Sequence, residues 1–462
     1  MNSNIRHIHL LGICGTAMGA VAAALRDRGF TITGSDENVY PPMSTFLAGK
    51  GIEIKEGFHP DNLPATADLI VIGNAIKRGN PEVEAVLNRK LYYLSLPETL
   101  KQFFLRGRHN LVVTGTHGKT TTTSLLAWIL ECAGLEPGYM IGGLPKNLPQ
   151  GCCLRDSKYF VIEGDEYDTA FFDKRSKFVH YLPELVVVNN IEFDHADIFN
   201  NVDEIKLSFR RLLNIVPSNG IVLLNADDPN CVETGKTCPA PIVEVGFSPN
   251  ASHQIRNVRH ESTGSVFSLF DTSFTMRLSG EYNVRNAAMA VSAAHFYGIP
   301  LPVIQKAVAS FEGVRRRQEV RGVVRGITVI DDFGHHPTAI RQALSGLRLQ
   351  YPGRKIWAVF EPRSNTTRRA VFQHQLPEAF EAAAGVILAR VARLDQIPEN
   401  ERLHPEKVVE DIRASGKPAF YEPTVEEIIK RLKSLAGESD IIVIFSNGGF
   451  ENIHARLLDA LK

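Results

Sequence analysis

Apolar runs of three to five residues recur along this chain at positions 8–11, 30–33, 69–72, 111–113, 160–162, 185–188, 221–224, 356–360, 386–388 and 441–445. Between most of them, apolar positions follow helical spacing. Short β-rich runs alternating with helical patterns predict an α/β chain with mainly parallel sheets. Residues 243–278 break the rhythm, lack a helical period, and are expected to form a small antiparallel flap.

A chain of 462 residues exceeds a single core and suggests about three domains. Joints fall near 106–108 and 315–319, giving expected domains 1–107, 108–318 and 319–462. Lys+Arg and Asp+Glu balance at 51 each, so there is no net field to gather nucleic acid or an anionic membrane. No run reaches membrane-spanning length. An anionic ligand would therefore be met by local groups. Cysteines 14, 132, 152, 153, 231 and 238 form no C-x-x-C pair, which reads as a reducing, cytoplasmic setting. The N-terminus is expected to enter a strand directly, without an apolar signal core. The residues leave the oligomeric state open.

The strand at 111–113 runs into Gly115-Thr-His-Gly-Lys-Thr-Thr121. A glycine-bracketed turn between strand and helix aims backbone N–H groups and the helix's positive end at phosphate oxygens. Lys119 would neutralise the terminal phosphates and Thr120 would ligand Mg²⁺. The general P-loop pattern places a glycine at 113, where this chain has Val113. The alternative is a structural turn with a solvent-facing lysine, but consecutive threonines are poor helix starters.

A second glycine turn, Gly12, Gly15, Thr16 and Gly19, follows the first strand, and the next strand ends at Ser35-Asp36. It suits a nucleotide diphosphate or a dinucleotide, and equally close helix–strand packing. Two acidic clusters follow strands: Glu163, Asp165, Glu166 and Asp168 after 160–162, and Glu192, Asp194, His195 and Asp197 after 185–188. Carboxylates at the carboxyl ends of parallel strands suit Mg²⁺, with Glu163 best placed, and His195 offers a second cation position or a general base. Asn286, Arg317, Asp332, His335 and His336 complete the chemically notable positions. The two adjacent histidines lack a cysteine nearby to finish a soft-metal site.

Taken together these motifs resemble the Mur ligase family over almost the whole chain. The family's P-loop is Gly-Thr-His-Gly-Lys-Thr-Thr, as at 115–121, which explains the missing early glycine. The resemblance implies a three-domain architecture: an N-terminal Rossmann-like domain, a central P-loop ATPase domain and a C-terminal Rossmann-like domain. Asp331-Asp-Phe-Gly-His-His-Pro-Thr338 and the N-terminal glycine turn look like the branch acting on UDP-N-acetylmuramate itself. Of the two activities that share this acceptor, one adds L-alanine. The other adds the recycled tripeptide L-alanyl-γ-D-glutamyl-meso-diaminopimelate. The stretches from Glu163 to His180, Asn189 to Asp197 and Phe360 to Arg369 are similar to the tripeptide-adding type.

The resemblance implies ATP and Mg²⁺ as cofactors, and a sugar carboxylate that attacks the γ-phosphate to give an acyl phosphate, which the peptide amine then attacks. It places Gly115, Thr116, His117, Gly118, Lys119, Thr120, Thr121, Asn286, Arg317, Asp332 and His336 around ATP. Thr120, Glu163 and His195 would hold metal; Lys119, Glu163, His195 and Arg317 would be catalytic. Gly12, Gly15, Thr16, Ser35 and Asp36 would hold the UDP moiety. Arg363, Arg368 and Arg369 are candidates, by charge alone, for the peptide's distal carboxylates. Several relatives carry a carbamylated lysine after the Asp-His motif; Lys206 falls about one helical turn early and is not assigned that role. An NAD-dependent oxidoreductase would leave the P-loop and acidic clusters without a task, and a UDP-sugar sensor would hydrolyse ATP without making a bond.

Overall fold

The computed structural model describes residues 5–462 and contains three large sheets in succession along the chain. Residues 1–4 lie outside the described residues, and with them the start of the expected N-terminal entry; the first strand is His7–Leu11. In the first sheet this strand is central, paired in parallel with Thr31–Asp36 and Leu69–Ile72, with Glu53–Glu56 and Tyr93–Ser95 at the edges.

The second sheet has eight strands. His109–Thr114 lies between Leu185–Val188 and Tyr159–Glu163, all parallel. The P-loop and both acidic clusters are thereby carried on adjacent carboxyl ends, the edge at which open α/β sheets receive ligands. The third sheet has six strands, of which Glu319–Val324 is antiparallel to Ile327–Asp332 and the others are parallel.

The flap is real but begins later than its pattern suggested. Arg256–Glu261, Gly264–Leu269 and Thr272–Met276 form a three-stranded antiparallel sheet, whereas Ile242–Gly246 is a parallel strand of the second sheet. Five residues are too few to reveal a period of their own.

The helix Lys119–Cys132 tolerates its threonines because their hydroxyls are used locally: Thr123 Oγ1 donates to the Lys119 carbonyl at 2.7 Å, and Ser124 Oγ to that of Thr120 at 2.6 Å. Its apolar residues Leu125, Leu126, Ile129 and Leu130 are fully or almost fully buried, each burial contributing about 1.5–3 kcal/mol. They join one cluster with the alanines of helix Glu281–Phe296, whose small side chains let the two helices approach closely.

Packing between the sheets is uneven. One apolar cluster runs without a break from Ile8, Leu10 and Val21 through Leu100 and Phe104 to Val112, Phe160 and Phe209. A hairpin, Asp168–Ala170 with Asp173–Ser176, adds to this joint by resting Phe172 edge-on against Tyr93 of the first sheet. The third sheet has its own clusters on its two faces, drawn wholly from residue 327 onward, and meets the rest largely through polar contacts.

Candidate active site

The strand His109–Thr114 turns into helix Lys119–Cys132 through Gly118, whose φ is +80°. A Cβ at that position would meet Asn286 Oδ1 at 2.4 Å, so both conformation and space require glycine. The turn is shaped by the two asparagines that follow the neighbouring strand. Asn190 Oδ1 accepts from the His117 N–H at 2.7 Å, and Asn189 Nδ2 donates to the Thr122 hydroxyl at 3.1 Å. No side chain caps this helix, so its first N–H groups point toward the position of an anion.

Lys119 Nζ donates to the Gly115 carbonyl at 2.7 Å and to Glu166 Oε2 at 2.9 Å. Burial works against its charge, but Glu166, Asp165 and Glu163 outweigh it and raise its pKa. The other oxygen of Glu166, Oε1, lies 3.2 Å from His195 Nε2. Glu166 therefore sits between the P-loop lysine and the histidine. Burial favours its neutral form, yet the Lys119 charge and the His195 contact hold its pKa at about 2. Burial likewise opposes protonation of His195, but the hydrogen bond and charge of Glu166, with Asp194, bring its pKa up to about 8.

Thr120 Oγ1 donates to Glu163 Oε1 at 2.9 Å, and the Gly142 N–H donates to Glu163 Oε2 at 2.8 Å. Burial and the charge of Asp165 push the Glu163 carboxyl up against the opposing pull of Lys119. A hydroxyl and a carboxylate side by side, both hard oxygen donors lining the cleft, fit a hard divalent cation such as Mg²⁺.

The third sheet contributes from the other side. Arg317, in the segment joining it to the second sheet, brings Nη2 to 3.4 Å from Thr120 Oγ1. Asp332 ends a strand and accepts from the backbone N–H groups of Gln318 at 2.9 Å and Gly334 at 2.7 Å, which fixes that joint. Thr366 Oγ1 donates to Asp194 Oδ1 at 2.7 Å, and Asn365 Nδ2 to Asp197 Oδ2 at 2.7 Å. Burial notwithstanding, His335, His195 and His336 hold Asp194 well below the usual carboxylate range. Glu192 Oε2 lies 3.3 Å from His117 Nε2 and 3.5 Å from His336 Nδ1, joining the P-loop to the start of helix Pro337–Gln350.

A cleft of about 1090 Å³ passes over these groups. Of the residues singled out from the sequence, Thr116, His117, Gly118, Lys119, Thr120, Thr121, Glu163, His195, Asn286, Arg317, Asp332 and His336 line it, and Thr16 lines its far end. Gly115 lies directly behind, where a Cβ would meet Asn189 and Asn190 at 3.0 Å. Gly12 and Gly15 form the expected first turn, with the Gly12 N–H donating to the Ser35 carbonyl at 2.8 Å.

Other expected positions are occupied differently. The Ser35 hydroxyl is fully buried on Glu82, and the Asp36 carboxylate accepts from the backbone of Cys14 and Asn38, both at 2.9 Å. Arg363, Arg368 and Arg369 do not line the cleft. Arg368 is 7 % exposed and donates to the Arg393 carbonyl, Gln396 and Asn365; Arg369 is paired with Glu401, and Arg363 lies 3.6 Å from Glu361. Lys206 is held by Glu233 at 2.8 Å. The sequence reading singled out neither Glu166 as a bridge nor Asn189, Asn190 and Thr366 as contributors. For the asparagines a signal was present, a polar pair at the carboxyl end of a buried strand.

Three family models match in succession: "Mur ligase family, catalytic domain" over residues 7–108, "Mur ligase middle domain" over 113–294, and "Mur ligase, glutamate ligase domain" over 315–448. The chain belongs to the Mur ligase family. Among relatives, it is 42% identical over 462 residues to a UDP-N-acetylmuramate–L-alanyl-gamma-D-glutamyl-meso-2,6-diaminoheptandioate ligase from Haemophilus influenzae, covering 99% of this chain and 100% of that one. A UDP-N-acetylmuramate–L-alanine ligase from Acetivibrio thermocellus is 31% identical, with 96% and 94% covered. In structure, the chain is similar to the murein peptide ligase of Psychrobacter arcticus, with a TM-score of 0.71, 38% identity, and coverage of 99% and 98%. Membership of this ligase family makes the chain an enzyme. Among the described residues, no helix is long and apolar enough to cross a membrane.

Proposed function

We propose that this chain is an ATP-dependent ligase joining UDP-N-acetylmuramate to L-alanyl-γ-D-glutamyl-meso-diaminopimelate, a step of peptidoglycan recycling. The observation that carries the reading is likeness along the full length: 42% identity to a ligase named for this tripeptide, against 31% to one named for L-alanine. All six cysteines are free, which supports the cytoplasm as the compartment.

ATP would lie along the cleft with its phosphates on the turn 115–121, in contact with Asn286, and with Asp332 toward the ribose. Lys119 neutralises the terminal phosphates from the P-loop, and Arg317 adds a second positive group from the joint with the third sheet. Thr120 and Glu163 would hold Mg²⁺, and His195 would help hold a second cation; bound there, the metal would neutralise charge on the phosphate oxygens. The sugar carboxylate attacks the γ-phosphorus and ADP leaves; the α-amine of the peptide then attacks the acyl carbon and expels phosphate. The protein's part is positioning and electrostatic complementarity, without a covalent intermediate on the chain. Domains 1–107, 108–318 and 319–462 carry acceptor, nucleotide and peptide, respectively. Closure of the third onto the other two would exclude water from the acyl phosphate.

The deciding measurement is phosphate release from ATP with Mg²⁺ and UDP-N-acetylmuramate, comparing L-alanine with the tripeptide and weighing the product. Turnover with the tripeptide is expected. Turnover with L-alanine alone would assign the chain to the de novo pathway, and none with either would overturn the reading.

A further inference from the structure

Among the described residues, four lysines and arginines line the cleft: Lys119, Lys177, Arg285 and Arg317. Three are accounted for. Lys119 and Arg317 flank the phosphate position, and Arg285 is bound to Asp227, with Nη2 3.1 Å from its carboxylate. Lys177 has no task in the reaction as described above.

Its surroundings are specific. Lys177 leaves the hairpin Asp168–Ala170/Asp173–Ser176, and its own N–H donates to the Tyr167 carbonyl at 3.1 Å. Its ammonium stands 4.0 Å from the centre of the Tyr167 ring and 3.4 Å from Asp165 Oδ2, with the side chain only 17% exposed. An ammonium has three N–H donors, and one long contact with Asp165 leaves most of that capacity unused beside the cleft. The ring of Tyr167 in turn lies 5.2 Å from that of His195. The hairpin also forms the contact with the first sheet, where Asn74 Nδ2 donates to the Asp168 carbonyl at 3.2 Å. Lys177 thus stands between the first domain and the Lys119–Glu166–His195 group.

That is the route an acceptor carboxylate must take. It comes from a sugar nucleotide held by the first domain and has to reach a phosphate at Lys119, along a cleft lined by the carboxylates of Glu163, Asp165 and Asp194. Like charges disfavour that approach unless a cation accompanies it. Resting on the ligase reading above, we infer that Lys177 is the cation that binds the acceptor's carboxylate and directs it toward the phosphate. Tyr167 and Asp165 hold the ammonium in place without saturating it.

The test is calorimetric binding of UDP-N-acetylmuramate to the full-length protein with Mg²⁺ and a non-hydrolysable ATP analogue, alongside UDP-N-acetylglucosamine, which lacks the carboxylate. Lys177→Met is expected to weaken UDP-N-acetylmuramate at least tenfold, leave UDP-N-acetylglucosamine and the ATP analogue within twofold, and raise the acceptor's KM in turnover. Lys177→Arg should recover most of the loss. Lys177→Gln gives the same reading should the methionine variant fail to fold. Equal weakening of both sugar nucleotides, or of neither, in a folded variant overturns the inference alone. A wild-type protein that binds neither sugar nucleotide overturns the ligase reading, and this assignment with it.

Discussion

Thr366 Oγ1 donates to Asp194 Oδ1 at 2.7 Å, linking a loop of the third sheet to the acidic cluster beside the P-loop. The same oxygen accepts from the Ala196 N–H at 3.2 Å. Thr366→Val keeps the shape and removes both bonds, leaving a buried carboxylate short of a partner. A loss of about 1–3 kcal/mol is expected, read by denaturant unfolding. Turnover should fall as well, because the third domain loses a contact at the closed position. A variant as active and stable as wild type would remove Thr366 from the interdomain contact set.

Lys119→Met should lower phosphate release by about 10²–10³-fold, the usual scale for losing one preorganised group at a developing charge. It should also lower thermal stability, since Glu166 would remain buried with only His195 to compensate it. Melting curves at pH 7.5 separate the two effects.

Glu163→Gln separates metal affinity from folding. Half-saturating Mg²⁺ in the phosphate-release assay should rise at least about tenfold. Because burial and Asp165 already push the Glu163 carboxyl up, removal of its charge should leave the metal-free melting temperature unchanged or higher. A marked loss of metal-free stability would instead make Glu163 a structural carboxylate.

His336 supplies a pH signature. Its Nε2 faces the Phe193 carbonyl at 3.1 Å and its Nδ1 accepts from the Thr338 N–H, so the neutral ring is the bonded form. Burial, aided by His117, lowers its pKa from 6.5 to about 3. Below pH 6.5 the unfolded chain takes up a proton that the native ring refuses. Stability is therefore unaffected above that pH and lost as pH falls toward 3, at up to about 1.4 kcal/mol per unit. Between pH 6.5 and 5, above the range in which Glu166 and Glu192 titrate, His336→Asn should reduce the slope by half a proton rising to about one. An unchanged slope would refute the assignment.

Much of the fold was legible because strands buried on both faces are continuous apolar runs, and 185–188 or 441–445 admit little else. The P-loop was legible for a related reason: the turn's geometry demands glycine, lysine and a hydroxyl in a fixed order. Side-chain partners were not. Thr366 and Asp194 are 172 residues apart and meet only through the docking of the third sheet. Arg368 looked like a free cation in a basic run, and only tertiary packing reveals that its two terminal nitrogens donate to Arg393, Gln396 and Asn365. Ser35 followed a glycine-rich turn as a ligand contact would, yet the sheet turns its hydroxyl inward.

Arg317 stands in the very segment that joins the second and third sheets, next to a backbone pinned by Asp332. On the proposed ligase reading, the joint would be a component of the phosphate site rather than a tether outside it. If the third domain swings away about this segment, it would carry the Arg317 charge off the proposed nucleotide position, and an open molecule would be electrostatically incomplete. Bond formation and domain position would then be interlocked, and nucleotide bound before the other substrates would be shielded from idle hydrolysis by geometry alone.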